Sequence, residues 1–261
     1  MSDEEIILNE YVVNKKSKRS ILNEYKFSNY KINKVLKNNN IIIRNNSFNS
    51  RKYNIDENFF GVIDTEDKAY WLGFIMADGW ITCGKVLGIK LHPKDKSHLK
   101  KFLNSTNSNY PIHEGVSTHG YSIGGKFVNL NITNKKLYND LLDKGVLVKK
   151  SKTLEFPNKI PNNLINHFIR GYFDGDGSVF KRPDGYLGVN VLGTENFLKK
   201  ILEFSNINKN IYKYKKKEIH YISLCCKDAT KFLEYIYKNS ILYLERKKNI
   251  FTPPLTDIFQ S

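Results

Sequence analysis

Cysteine, proline and methionine are scarce in this chain of 261 residues, at three, seven and two respectively. Cys83, Cys225 and Cys226 form no C-x-x-C pair and stand at no spacing from histidine that would build a zinc site, so they read as reduced core or strand residues. No apolar run approaches the roughly 18 residues that a membrane-spanning helix needs. The opening MSDEEIILNE is acidic where a secretory signal would be basic, so a soluble, intracellular protein is expected, its compartment left open. Acidic residues are also in deficit. Twenty-six Asp and Glu face 42 Lys and Arg, a formal charge of +16.

That imbalance points to a polyanionic partner held by salt-sensitive contacts, with nucleic acid the leading candidate. A codon bias toward Lys, Asn and Ile would raise the lysine count without any partner, so charge alone does not settle the matter. Hydrophobic residues make up 40% of the chain, enough to bury a globular core.

Residues 1–45 read as three short helices, around Ile6–Val12, Ile21–Tyr25 and Ile32–Leu36, with Ser17 or Ser20 capping the second and Ser28 the third. The tight F-S-N turn between the last two resembles a helix-turn-helix module, whose final helix would present Lys31 and Lys34, among other polar residues, to the major groove. Such helical units also occur as plain packing modules. Residues 46–60 are asparagine-rich at first and read as a linker.

Residues 61–160 and 161–261 then repeat one order of elements: helix, two strands, helix, two strands, helix. Landmarks keep a near-constant separation, 98 positions from Asp78 to Asp176, 99 from Leu99 to Leu198 and 97 from Lys150 to Lys247. This is an internal duplication of the kind that makes one architecture from two copies. The expected fold is α+β: two αββαββα repeats related by a pseudo-twofold axis, forming a saddle behind the small all-α module. Within it, strands are expected at Trp80–Cys83 and Val86–His92, a strand pair at Ser122–Ile132, and a second pair across Lys215–Lys217. Alternation puts Ile89 and Leu91 on one strand face and Lys90 and His92 on the other. Asn190, Lys181 and Arg182 are the counterparts in the second repeat.

Each repeat opens with a helix that stops on a carboxylate: WLGFIMADGWI from Trp71 and IRGYFDGDGSV from Ile169. Gly73 and Ala77, and Gly171 and Gly175, recur four apart, which is one helix face. Glycine costs about 1 kcal/mol against alanine inside a helix, so its use there predicts close approach of another backbone, the natural partner being the other copy. The two ends, Ala77-Asp78-Gly79 and Gly175-Asp176-Gly177, would then lie side by side, with the trailing glycines suited to left-handed caps. A carboxylate at a helix C-terminus opposes the dipole, and two together repel. Such a pair invites a divalent cation, and hard oxygen ligands with room for water suit Mg2+.

At these residues the chain resembles the LAGLIDADG homing endonucleases in their single-chain, two-motif form. The match is close in IRGYFDGDG and looser in WLGFIMADG, where Trp71, Leu72 and Met76 depart from the consensus. The resemblance implies a monomer that makes a double-strand break in a long asymmetric DNA target by Mg2+-dependent phosphodiester hydrolysis. It implies that Asp78 and Asp176 are metal-binding catalytic acids and that the Ala77 and Gly175 carbonyls add ligands. It also implies one basic residue per half near the scissile phosphate. Lys150 and Lys247 are the choices, with Lys149, Lys152 and Lys248 as neighbouring candidates, and a lysine run ending a helix as the plain structural alternative. Lys90, His92, Lys181, Arg182 and Asn190 would face DNA from the sheets. Two other functions fit the same elements: an RNA maturase that assists splicing of an intron RNA, and a non-catalytic DNA-binding regulator.

Overall fold

Serine fixes where each N-terminal helix begins. Ser2 forms a capping box with Glu5 ahead of α1 (Asp3–Leu8), Ser17 Oγ accepts from Ser20 N ahead of α2 (Lys18–Tyr25), and Ser28 Oγ accepts from Lys31 N ahead of α3 (Asn29–Asn38). Each side-chain oxygen satisfies an amide that the first helical turn leaves without an intrahelical partner. α1 runs on into a π-helical turn over Asn9–Val13. Lys26, Phe27 and Ser28 join α2 to α3, Lys26 taking the left-handed conformation at φ 58°. Ile7, Tyr11, Ile21, Ile32 and Leu36 form a core of their own.

The structure, a computed structural model, describes residues 1–43, 52–118, 123–148, 153–214 and 219–251. The chain divides into two compact units, Met1–Asn54 and Ile55–Ser261. Much of the expected linker, residues 46–51, lies outside the described residues.

In the second unit the duplicated order is present in full. The first repeat runs α4 (Glu66–Ala77), β1 (Gly79–Thr82), β2 (Val86–Leu91), α5 (Lys96–Ser105), β3 (His113–Val116), β4 (Lys126–Thr133), α6 (Lys135–Asp143). The second runs α7 (Ile165–Asp176), β5 (Ser178–Lys181), β6 (Leu187–Gly193), α8 (Glu195–Phe204), β7 (Tyr212–Lys213), β8 (His220–Cys225), α9 (Cys226–Tyr237), followed by α10 (Glu245–Phe251). Each repeat's strands make one antiparallel sheet of four, ordered β1-β2-β4-β3 and β5-β6-β8-β7. Alternate residues point to opposite faces, so Ile81, Leu87, Ile89, Val128, Leu130 and Ile132 are buried from the first sheet and Val179, Val189, Val191, Ile222 and Leu224 from the second.

Two local expectations are corrected. The first member of the strand pair near Ser122–Ile132 lies earlier, at His113–Val116. Its sequence HEGV is exposed or half-exposed throughout, so it lacks the apolar alternation by which a strand is recognised. The terminal lysines lie within a helix of seven residues: Lys247 is in the first turn of α10 and Lys248 begins its last.

α4 and α7 pack against each other more extensively than any other pair of helices. Every residue from Ala69 to Ala77 is buried, as expected of a helix apolar nearly all the way round. Thr65 caps α4, its Oγ1 accepting from Lys68 N.

Candidate catalytic site

The small face predicted from spacing is where α4 and α7 cross. A Cβ placed on Gly73 would lie 2.0 Å from Phe168 O, one on Gly171 would lie 1.9 Å from Tyr70 O, and one on Gly175 would lie 2.4 Å from Ala77 Cβ and 3.3 Å from Asp78 N. Backbone therefore meets backbone, and the helix ends bearing Asp78 and Asp176 arrive together. Asp78 is the half-buried C-cap of α4, and Asp176 is the exposed last residue of α7. Ala77 and Asp176 help line one cavity of about 350 Å³, with Met76, Tyr172, Leu192 and Thr194.

The trailing glycines do not form left-handed caps. Gly177 is extended at φ −78° and ψ 166°, and Gly79 is absent from the positive-φ positions. Space is the reason for both. A Cβ on Gly79 would stand 2.9 Å from the Ile75 backbone, and one on Gly177 would stand 2.2 Å from the Phe173 ring.

Behind the two acids lies a buried polar network. Asp174 Oδ2 accepts from Tyr70 Oη at 2.8 Å and Leu244 N at 2.8 Å, while Oδ1 accepts from Tyr237 Oη at 3.0 Å. Burial pushes the Asp174 carboxyl up, against the pull of Lys247 and those three donors. His98 Nε2 lies 2.9 Å from Tyr70 Oη, and burial holds the imidazole down at about 3. Neutral His98 donating from Nε2 fits this, because its Nδ1 is buried with no hydrogen-bond partner.

A second set of bonds ties the repeats together. Arg170 is fully buried and donates to Leu242 O at 2.8 Å, Ile236 O at 2.9 Å and Glu66 Oε1 at 2.5 Å. Glu66, from the first repeat, also accepts from Ile241 N and Leu242 N of the second. Arg246 Nε donates to buried Asp95 across the same boundary. Sequence reasoning passed over these residues, although a signal was there. Glu66 and Tyr70, and Arg170 and Asp174, are polar residues four apart on apolar helices, hence one helix face each.

Lys247 is the product of that anchoring. Its Nζ donates to Phe173 O at 2.7 Å, Asp174 O at 2.8 Å and Gly177 O at 2.5 Å, and more weakly to Gly175 O at 3.2 Å. The ammonium thus caps the C-terminal carbonyls of α7, which a helix leaves without partners. Burial brings it down to about 8, opposed by the nearby Asp174, Asp78 and Asp176 carboxylates. Its charge therefore stands close to both motif acids. Lys248 takes another role, its Nζ lying 3.7 Å over the Tyr243 ring. Lys150, Lys149 and Lys152 lie outside the described residues.

The remaining predicted residues are dispersed. Lys90 is exposed on the outward face of the first sheet, Nζ lying 3.9 Å over the Phe127 ring. His92 lies just past β2, its Nδ1 accepting from Lys94 N at 3.2 Å. Asn190 sits in an outward row with Ser178 and Ser223. Lys181 pairs with Leu187, and Arg182 is ion-paired to Asp184 at 2.9 Å. In the N-terminal unit Lys34 is exposed, whereas Lys31 bonds to Asp3 and lies over the Phe27 ring.

The donor set fits Mg2+. The Asp78 and Asp176 carboxylates and the Ala77 and Gly175 carbonyls are the oxygens that could hold it at the paired helix ends, and no group of three or more His, Cys, Asp or Glu that could hold a metal ion occurs among the described residues. An all-oxygen site with few protein ligands leaves the positions that Mg2+ keeps for water. No helix among the described residues is long and apolar enough to cross a membrane.

No curated protein matches the chain. Among solved structures, the I-LtrWI LAGLIDADG homing endonuclease bound to target DNA is 12% identical, with 70% of this chain and 87% of that chain covered and a TM-score of 0.48. The homing endonuclease I-WcaI bound to its DNA recognition sequence is 16% identical, at 71% and 87% coverage and a TM-score of 0.48. The N-terminal LAGLIDADG domain of DUF199/WhiA is 19% identical, at 75% and 93% coverage and a TM-score of 0.42. One family model, described as a LAGLIDADG-like domain, matches residues 163–237 of this chain, from just ahead of α7 to the end of α9.

Proposed function

We propose that the chain is a site-specific DNA endonuclease of the homing type, acting as a monomer on a long asymmetric duplex with Mg2+. The observation that carries this reading is the crossing at Gly73, Gly171 and Gly175, which sets two carboxylate-bearing helix ends against each other. Bound there, the metal would supply an activated water and a stabilised leaving oxygen. Asp78 and Asp176 hold it through their carboxylates, with the Ala77 and Gly175 carbonyls beside them. Lys247 fixes the end of α7 and adds positive charge where a phosphoryl group gains negative charge. Lys150 has the corresponding role in the first half. Lys90, His92, Lys181, Arg182 and Asn190 contact the duplex from the sheets, and Lys31 and Lys34 extend the contact from the N-terminal unit. Two unlike halves suit an asymmetric target.

The test is cleavage of a randomised duplex library with Mg2+, comparing the wild type with Asp78→Asn and Asp176→Asn. Recovery of one long asymmetric sequence, cut by the wild type alone and not in the presence of a chelator, is expected. Wild-type cleavage rates in either variant would overturn the assignment of the acids. Absence of cleavage with tight binding to DNA, or to a structured intron RNA, would move the function to the regulator or the maturase.

A further inference from the structure

Two thiols stand side by side where the second repeat departs from the first. In the first repeat α6 is capped by Asn134, whose Oδ1 accepts from Leu137 N at 3.0 Å. The helix in the same place of the second repeat, α9, has Cys225 at its N-cap, and that side chain makes no capping hydrogen bond. Cysteine is not among the residues that cap helices well, so helix formation does not account for Cys225. Backbone conformation does not account for Cys226. It is left-handed at φ 53°, where every other non-glycine residue of that kind among the described residues is Asn or Lys. The left-handed region is unfavourable for a residue with a Cβ, and strain of this sort collects at functional sites.

The two thiols also meet. Both are free and half-buried, and so open to a small solute. Burial, and then a hydrogen bond to Cys225, pushes the Cys226 thiol up, against the pull of Arg182. Cys226 thus keeps its proton and offers it to Cys225 Sγ. Arg182 and Lys209 lie within electrostatic reach of Cys225, each ion-paired to a carboxylate at 2.9 Å. A thiolate at the start of a 12-residue helix, with cations nearby, is the form that attacks electrophiles. A second thiol in contact with it can resolve the product. Cys83, exposed between β1 and β2, has no neighbouring cysteine in the sequence.

We propose that Cys225 and Cys226 form a peroxide-sensitive dithiol, a modification site at which Cys225 takes the oxidant and Cys226 resolves it. The oxidant is a hydroperoxide. Cys225 Sγ attacks one peroxide oxygen, the S–O bond forming as the O–O bond breaks, and an alcohol or water leaves with the proton that Cys225 gave up. Cys226 Sγ then attacks the sulfenic sulfur, the S–S bond forming as the S–O bond breaks, and water leaves with the Cys226 proton. Two electrons pass from the thiols to the peroxide. Neighbouring Cα atoms are only about 3.8 Å apart, closer than disulfides favour, so the bond is strained and readily reduced. The modification is therefore reversible. It is independent of the nuclease reading, which uses neither thiol.

The experiment treats the reduced full chain with equimolar hydrogen peroxide, alkylates the remaining thiols and maps the products by mass spectrometry. In the wild type, the peptide carrying Cys225 and Cys226 is expected to lose both alkylations and two hydrogens, and to regain them after dithiothreitol. Cys226→Asn suits the left-handed position, and it should lose the disulfide and leave a sulfenic acid on Cys225 that dimedone traps. Cys225→Ser restores a capping hydroxyl, and it should leave Cys226 open to alkylation at the same dose. The wild-type product requires no variant to fold. Both thiols of the wild type still alkylated at a dose that oxidises Cys83 would overturn the proposal. So would a disulfide to Cys83 or between chains, a product carrying added oxygen in place of the disulfide, or a sulfenic acid on Cys226 in Cys225→Ser. Failure of the nuclease assignment is read separately, in the cleavage of duplex DNA by the wild type and Asp176→Asn.

Discussion

Gly171→Ala tests the crossing on which the candidate site depends. Two effects oppose each other. Alanine in a helix interior gains about 1 kcal/mol over glycine, so on an isolated helix the substitution would stabilise. In the folded protein the new Cβ would stand 1.9 Å from Tyr70 O and 2.9 Å from Phe74 N. Non-bonded heavy atoms rest about 3.5 Å apart, so α4 and α7 would have to separate by roughly 1.5 Å. The obstructing atoms are backbone, which no rotamer change can move aside. Overpacking typically costs about 1–3 kcal/mol, and the most extensively packed helix pair belongs at the upper end. The net loss is then about 2 kcal/mol, or about 4–8 °C in Tm for a domain of this size. The assay is thermal unfolding followed by circular dichroism, with Gly84→Ala as control because its Cβ would meet only Thr82 Oγ1 at 3.5 Å. A Tm for Gly171→Ala equal to or above that of the wild type would refute the argument.

Glu66→Ala should cost about 3–5 kcal/mol, because it leaves the fully buried Arg170 without its carboxylate. Denaturant unfolding should show Glu66→Ala and Arg170→Met together costing less than the sum of the two, and strict additivity would deny the coupling. His98 sets a pH dependence. With its pKa at about 3 in the fold against 6.5 ordinarily, the unfolded chain alone takes up the proton between these values, so stability falls as pH drops through 6.5. The loss is about 1.4 kcal/mol per pH unit, or about 2 kcal/mol from pH 7 to pH 5, measured as a shift in urea midpoint. His98→Phe should flatten that slope, and an unaltered slope would place the proton elsewhere. Deletion of residues 1–50 should leave the second unit folded, since its core shares no residue with that of the first, and should weaken DNA binding; an unchanged footprint and affinity would reduce the N-terminal unit to packing.

The sequence by itself determined the duplication, the order of elements and the crossing face. These depend on local grammar: serine and threonine caps, apolar–polar alternation such as Ile89-Lys90-Leu91 in β2, and small residues four apart in helices that are otherwise apolar. Such signals survive without the rest of the chain because they reflect backbone sterics and the burial of one face. β3 escaped because an exposed edge strand such as HEGV buries no face and so leaves no periodic mark. The glycines after Asp78 and Asp176 were read as left-handed caps, but packing against Ile75 and Phe173 is what excludes a side chain there. Only the tertiary structure decided the environment of Lys247. In sequence, Lys247 of LERKK read as a charge near the scissile phosphate or at a helix end, with no sign of burial. Its burial on the carbonyls of α7 required Glu66, Asp95 and Asp174 to hold the 241–247 segment against both repeats, and these residues are up to 181 positions apart, from Glu66 to Lys247. Desolvation and hydrogen-bond geometry are set by which groups meet, and spacing along a chain carries that information only within one helix or one strand.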